Sequence, residues 1–438
     1  MKFLPFIQKL IFRHTKVYLI GILAFCLGLV TALVPIKSGA TFPKLLEFKV
    51  KQVFKDNSSK KSFFLSSVKT SRYEFILKNK FPIDGAYQIT SMGGEIYAIE
   101  RFSGELYGWN LENNSIKKYG NIFKGITFGS SGDQNSYPQV TDLHIAFGQF
   151  FFSAVLPSKE NSCLALHAFK FEILDSVSSP IEIFRTPCIE DLLNPFLFGG
   201  RFTNSAENLF LSIGDQRFDR SGFLKNTPVA IKERSNRQSV FGTIVMFKKN
   251  YEDYLIYSKG HRNVQGLYYS VDDKVLYASE HGPQGGDEVN IIRQGKDYGW
   301  PLVTFGKPYG WAFSSSDPDP NSVPGTNYEE ILKQIGHVSG THVGYEAPIF
   351  SWAPSQGVGA VFRVQSSTEL KDWKNQLLVV AMARTSIHRL VLDDGKVIFD
   401  EEIPINFRVR DFILQQNGAL ILSLDEGSLV ELVVKSDK

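Results

Sequence analysis

Along most of the chain, apolar and aromatic residues come in short bursts, each opened by a turn or a polar pair and followed by charged or amide side chains. Six of these bursts resemble one another: GGEIYAIER from Gly93, FGQFFFSAV from Phe147, AENLFLSIGD from Ala206, DDKVLYASEHG from Asp272, KNQLLVVAMAR from Lys374 and NGALILSLDEG from Asn417. Runs this short, bounded by glycine, asparagine and aspartate, read as β-strands. Anchored on Ile96, Phe150, Leu209, Val275, Leu377 and Leu420, they recur on average about every 65 residues. A minimal propeller blade needs only ~40–45 residues, so each unit carries extra loop. The widest interval holds an insertion, Phe313–Tyr328, rich in Ser, Asp, Pro, Gly and Asn. The pattern predicts an all-β, six-bladed propeller over residues 76–438. Equivalent strands in such a ring surround one axis, so residues just past their ends converge on one mouth. Those residues are Glu100 and Arg101, Asp215, Glu280 and His281, Arg384, and Asp425.

The N-terminus breaks this pattern. Val17–Ile36 is a run of twenty residues without a charge, long enough to cross roughly 30 Å of hydrocarbon as a helix. Lys2, Lys9, Arg13 and Lys16 precede it, as in a signal anchor. Val30-Thr31-Ala32 offers a small-residue cleavage site, but the apolar run continues to Ile36, which favours a retained anchor; the bulky Phe25 before Cys26 argues against lipid attachment. Residues 1–40 are read as the transmembrane segment and 41–75 as a basic membrane-proximal stalk. Between Lys37 and Lys61 seven lysines stand against only Glu47 and Asp56. Lysines flank the run on both sides, so the positive-inside comparison does not discriminate; a large C-terminal domain translocates regardless, and the propeller is expected on the exported, periplasmic side.

Composition narrows the function classes. With 43% hydrophobic and 21% charged residues over 438 positions, the chain is an ordinary folded one. The 36 Phe and 36 Gly fit many strands and tight turns. A net charge of +3 leaves no nucleic-acid footprint. Three cysteines cannot make a disulfide framework. Of these, Cys163 and Cys188 would lie on the exported side, either paired or free.

Three segments carry chemistry: GHRNVQG at Gly260–Gly266, EHGPQGGDEVN at Glu280–Asn290 with GKDYGWP at Gly295–Pro301 behind it, and RVRD at Arg408–Asp411. Gly282-Pro283-Gln284-Gly285-Gly286 must turn sharply and so exposes backbone carbonyls. Hard oxygen donors with Asp287 and Glu288 alongside suit Ca²⁺ better than zinc, although the same loop also serves as a plain link between strands. Arg262, Arg384, Arg408 and Arg410 would set four guanidiniums near one mouth, which suits a flat, carboxylate-bearing ligand. Taken singly, each arginine is more often a surface charge than a ligand contact.

In order and spacing these segments, with FGGR before LFLSIGDQ, resemble the soluble sugar dehydrogenases that depend on pyrroloquinoline quinone (PQQ), the glucose, aldose and sorbosone dehydrogenase family, from about Phe81 to Val434. The resemblance implies a propeller oxidising a sugar or alcohol hydroxyl with PQQ and Ca²⁺. It implies that the Gly282 and Pro283 carbonyls hold the metal, with Asp287 beside them, and that Arg262 and Asn263 contact the cofactor. Arg408 and Arg410 correspond to two family arginines over the quinone, Arg384 to a family lysine, and Gln134 to a glutamine near the site. Val264 stands where the family has proline. The largest departure is Leu197, at the position of the histidine that takes the hydroxyl proton. Leucine cannot accept a proton, which leaves His281, in the site loop, and His144, in an apolar strand, as conceivable substitutes. The alternative is a catalytically silent propeller binding a ligand or partner.

The anchor gives a first prediction. The full-length chain should sediment with membranes, its propeller open to protease from the exported side; release by high salt alone would contradict a spanning anchor.

Overall fold

The structure, a computed structural model, describes residues 66–435 apart from 84, 130–137, 159–162, 189–196, 216–238, 249–250, 252 and 308–335. The expected anchor, most of the stalk, Gln134 and the insertion at Phe313–Tyr328 lie outside the described residues. Among the described residues no helix is long and apolar enough to cross a membrane.

Six antiparallel sheets follow one another along the chain. Their first strands are Tyr87–Met92, Gln139–Ala146, Gly199–Asn204, Val264–Ser270, Val358–Arg363 and Val409–Leu414, which define blades 1 to 6. These strands touch in ring order, and the sixth touches the first. The six bursts seen in the sequence are the second strands, Glu95–Glu100, Gln149–Pro157, Asn208–Ile213, Val275–Glu280, Leu377–Ala381 and Leu420–Leu424. Each is buried on both faces by its own and the neighbouring blade, which is why they read as continuous apolar runs rather than alternating ones. The core therefore lies between blades. Phe151, Leu166, Leu211 and Phe247 fill the space between blades 2 and 3, and Tyr277, Val289, Val361 and Val379 that between 4 and 5. Each fully buried side chain of this size contributes about 1.5–3 kcal/mol.

Blade 6 closes the ring. Its strand Ser428–Val434 pairs with Glu74–Pro82, and Ser67–Lys69 adds an outer fifth strand. The expected boundary at residue 76 thus falls inside a strand, because the end of the basic stretch supplies the backbone partner that the C-terminal strand needs. The hairpin turn also grips blade 5: the Ser71 amide donates to Glu401 Oε1 at 2.5 Å, and Tyr73 packs edge-on against Trp373.

Serines in the second strands staple neighbouring blades. The Ser153, Ser212, Ser279 and Ser423 hydroxyls, all fully buried, donate to the carbonyls of Gly200, Val264, Gly359 and Tyr87 in the first strand of the next blade. Near the axis a buried ion cluster joins distant blades. Arg201 of blade 3 meets Asp142 of blade 2 at 3.2 Å and Asp411 of blade 6 at 2.7 Å, and it donates to Gln88 Oε1 of blade 1 at 2.6 Å. Gly200, next to Arg201, lets the neighbouring blade approach closely: a Cβ there, at φ +90°, would meet Thr141 Oγ1 at 2.2 Å.

Burial pushes the Asp142 carboxyl up to about 7; Arg201 opposes the shift and the neighbouring Asp411 reinforces it. A carboxyl raised in the folded state binds its proton more tightly there, so its contribution to stability fades as pH rises from about 4 through 7. The stability difference between wild type and Asp142→Asn should therefore shrink over that range in denaturant titrations. A difference that grows with pH would contradict the assignment.

Candidate active site

The strand ends of the ring line a small cavity of about 30 Å³. Gln88, Gln139, Thr141 and Gln265 supply hydrogen-bonding groups to its wall, Arg101, Arg201 and Arg410 supply charge, and Phe198 and Met382 form an apolar side. Arg201 is held by the carboxylates described above. Arg410 makes a two-pronged contact with Asp425, at 2.8 and 2.5 Å. Arg408, more exposed, joins the same carboxylate through Nε at 2.9 Å. Asp425 is thus shared by both arginines of the RVRD segment.

Beside this cavity lies a smaller one of about 10 Å³, lined by Arg262, Glu280, His281, Gly282, Pro283 and Trp300. Here the GHRN and EHGP segments meet, because the strands Val264–Ser270 and Val275–Glu280 pair and leave both lead-in turns at the same end. Arg262 is buried, its amide donating to Glu280 Oε2 at 3.0 Å. Its guanidinium lies over the Trp300 ring, and Nη1 donates to the carbonyls of His281 at 3.1 Å and Gly282 at 2.8 Å. Trp300 is fixed in turn by its indole N–H on Asp215 at 2.6 Å. Asn263 braces the mouth: its Oδ1 accepts from the Gly199 amide at 3.1 Å and from Gln265 at 3.0 Å.

Asp287, expected beside a metal, is otherwise employed. It is fully buried, and its two oxygens accept from the amides of Gly282, Gln356, Gly357 and Val358 and from the Ser355 hydroxyl, over 2.5 to 3.3 Å. It clamps the EHGP loop to the segment leading into blade 5. Gly282 can only be glycine, since a Cβ would meet the Gly286 carbonyl at 2.2 Å.

His281 is half-buried and its Nε2 lies 2.5 Å from the Val358 carbonyl, so that nitrogen carries the proton. Burial holds its pKa below the usual value; Asp287 opposes this, and Arg262 and Arg410 reinforce it. The ring is neutral at pH 7, and no hydrogen-bond donor reaches Nδ1 among the described residues. His144 is different. It stays in the wall of blade 2, with Nε2 on Asn204 at 2.8 Å, and burial pushes it down to about 4. Leu197 is buried at 8% exposure and presents no proton-accepting side-chain atom. Arg384 is exposed in the turn after Ala381 and lines neither cavity.

The arrangement thus joins Arg262, Asn263, His281, Gly282 and Pro283 in one corner and brings Arg410 to the neighbouring wall, while Arg408 lines neither cavity and reaches only Asp425. Gln88, Gln139 and Thr141 were not singled out in the sequence, since they lie in first strands that carry no recurrent motif. Arg201, Gln265 and Trp300 sit inside quoted segments, but only the ring shows which way each is used.

Two features fit a cation and a carboxylate-bearing ligand in this corner. A guanidinium already rests on the loop carbonyls as a stand-in cation, and the missing Cβ at Gly282 leaves the loop tight enough to aim them. Known proteins give an independent view. A family model described as glucose/sorbosone dehydrogenase matches residues 150–431. The aldose sugar dehydrogenase YliI of Escherichia coli K12 is 32% identical over 175 residues, 40% of this chain and 42% of that protein. The quinoprotein glucose dehydrogenase B of Acinetobacter calcoaceticus is 29% identical over 205 residues, 39% of this chain and 42% of that one. The matched stretch thus spans about two fifths of each relative. The apo crystal structure of the soluble E. coli aldose sugar dehydrogenase superimposes with a TM-score of 0.61 at 20% identity, over 82% of this chain and 99% of that one, a likeness of fold.

The clamp predicts a stability effect. Asp287→Ala leaves buried amides without an acceptor, each worth ~1–3 kcal/mol. Chemical denaturation should show a loss of at least about 3 kcal/mol, and a loss below about 1 kcal/mol would mean that the loops hold themselves.

Proposed function

The chain belongs to the glucose/sorbosone dehydrogenase family, and on that premise we propose that it is a membrane-anchored, exported quinoprotein that oxidises a sugar or alcohol hydroxyl with PQQ and Ca²⁺. The observation that carries this reading is the corner where the Gly282 and Pro283 carbonyls, Arg262 and Asn263 lie beside the wall that Arg410 lines. Gly282 and Pro283 would supply carbonyl oxygens to Ca²⁺. Arg262 and Arg410 would take cofactor carboxylates, for which a guanidinium has the matching fork. Bound there, PQQ would accept the hydride from the substrate carbon as the hydroxyl proton leaves. The amides of Gln88, Gln139 and Gln265 would orient the sugar hydroxyls. The bond between Cys163 and Cys188 supports export, since disulfides persist in oxidising compartments.

Leu197 favours a second reading. The family's proton acceptor is absent there, so the chain either uses another base, with the Nδ1 lone pair of His281 nearest to hand, or binds its ligand without turnover.

Two experiments test these readings. Ca²⁺ with PQQ should raise the melting temperature, since a ligand at 100 times its dissociation constant adds about 2.7 kcal/mol, and Arg408→Ala with Arg410→Ala should abolish most of the shift. An equal shift in the double variant would place binding elsewhere. Leu197→His should raise aldose-dependent dye reduction, normalised to PQQ-loaded protein, by up to the ~10²–10⁴ that a general base supplies. Fast wild-type turnover unaffected by the change would show that another residue takes the proton.

A further inference from the structure

We propose that the face opposite the mouth carries a second ligand site, a recess that binds neutral oligosaccharide without chemistry. It stands independently of the cofactor reading, since no residue of the mouth takes part.

The recess follows from unequal turns. The second strand of each blade ends at the mouth, so the connections between first and second strands lie on the opposite face. In blade 1 that connection is Gly93-Gly94 alone, and in blade 6 it is residues 415–419. In blade 5 it is residues 364–376, long enough to stand as a wall beside the two short ones. The wall is pinned. At its base the Val364 amide donates to the Gln376 carbonyl and the Asn375 amide to the Val364 carbonyl, both at 2.9 Å. The Glu369 amide donates to the Gln416 carbonyl at 2.9 Å. Leu370 is buried so close to Gly418 that a Cβ there would meet its Cδ2 at 3.1 Å. On the far side the Gly93-Gly94 turn adds no bulk, and a Cβ on either glycine would meet nothing within 4 Å. The space left between the three turns is about 590 Å³, against about 30 Å³ at the mouth. Sites for small molecules span roughly 300–1,000 Å³.

The lining selects the ligand. Ser91, Ser367, Gln415 and Gln416 present hydroxyls and amides that have no protein partner among the described residues. Such groups both donate and accept, as sugar hydroxyls do. Glu369 adds one carboxylate, a strong acceptor for hydroxyl donors. Met92, 41% exposed, and Leu414 give an apolar patch for the C–H face of a sugar ring. Among the described residues no lysine or arginine lines the recess, so a phosphate or nucleic acid would find no counter-charge and would meet Glu369. Two aliphatic side chains are too few for a lipid. A neutral, polyhydroxylated chain matches what remains.

The test is glycan binding by the full-length protein, cofactor-free and solubilised in a detergent without a sugar headgroup. An array of linear neutral glucans, mannans and galactans, with uronate-containing glycans alongside, is probed with wild type and three variants, each checked for folding by circular dichroism. Wild type should bind at least one neutral glycan. Gln415→Ala with Gln416→Ala should weaken that binding about tenfold, as expected for the loss of two or more hydrogen bonds. Ser367→Trp, which fills the recess from an exposed position, should weaken it at least as much, and it decides the matter if the paired variant does not fold. Gln139→Ala with Gln265→Ala, at the mouth, should bind like wild type. Failure to bind any neutral glycan would overturn the proposal, as would stronger binding of the uronate-containing ones or binding that survives Ser367→Trp. Equal loss in the mouth variant would also overturn it, by placing the sugar at the mouth. No PQQ or Ca²⁺ enters this experiment, so a failure of the cofactor reading, seen as the absence of a thermal shift with PQQ, leaves the recess standing.

Discussion

Six wedge-shaped sheets form a site only if the last is fastened to the first, and here the fastening is a backbone ladder between Glu74–Pro82 and Ser428–Val434. Every feature of the mouth depends on it, because no blade holds a complete binding surface. Arg201 comes from blade 3, Asp142 from blade 2, Asp411 from blade 6 and Gln88 from blade 1. A buried guanidinium drawn from one side of the axis to carboxylates on others tolerates no looseness, since an unpaired charge in that position costs about 3–5 kcal/mol. The cluster and the ladder are therefore two readings of one constraint: the ring must close for the charges to pair, and the paired charges pin the ring at its centre.

Around this centre the chain separates structural from available charge. Asp142 and Asp411 take up Arg201, and Asp425 takes up Arg408 and Arg410 from the rim side. Asp287 spends its oxygens on the amides of Gly282 and Gln356–Val358, and Glu280 holds the Arg262 amide. The acidic residues near the mouth thus work as braces, and what faces the hollow is cationic and amide-rich. That polarity suits an anionic ligand.

Much of the ring was legible before the structure, for a physical reason. The second strand of each blade is packed on both faces, so it must be apolar over its whole length, and a buried run after a tight turn stands out at Ile96, Phe150, Leu209, Val275, Leu377 and Leu420. The EHGP loop was legible because Gly282 and its neighbours leave no space for side chains. The roles of the charged residues were not. Asp287 beside a glycine loop looks like a metal ligand in one dimension; in three, the Gln356–Val358 amides arrive from blade 5 and consume it. Arg201 sits in the quoted FGGR segment, but its partners are 59 residues earlier and 210 later, at Asp142 and Asp411. Gln88 and Thr141 belong to inner strands whose polar positions vary from blade to blade, so no repeat marks them.

The central proposal is that one corner, bounded by the 282–283 carbonyls, Arg262 and Arg410, would hold a carboxylate-bearing quinone together with a calcium ion. The most direct measurement is a crystal structure of the protein grown with Ca²⁺ and PQQ, with anomalous scattering used to locate the metal. The account predicts planar density spanning the mouth against Arg410 and a calcium peak at the Gly282 and Pro283 carbonyls. A calcium peak elsewhere, or a mouth that stays free of cofactor at saturating PQQ, would contradict it.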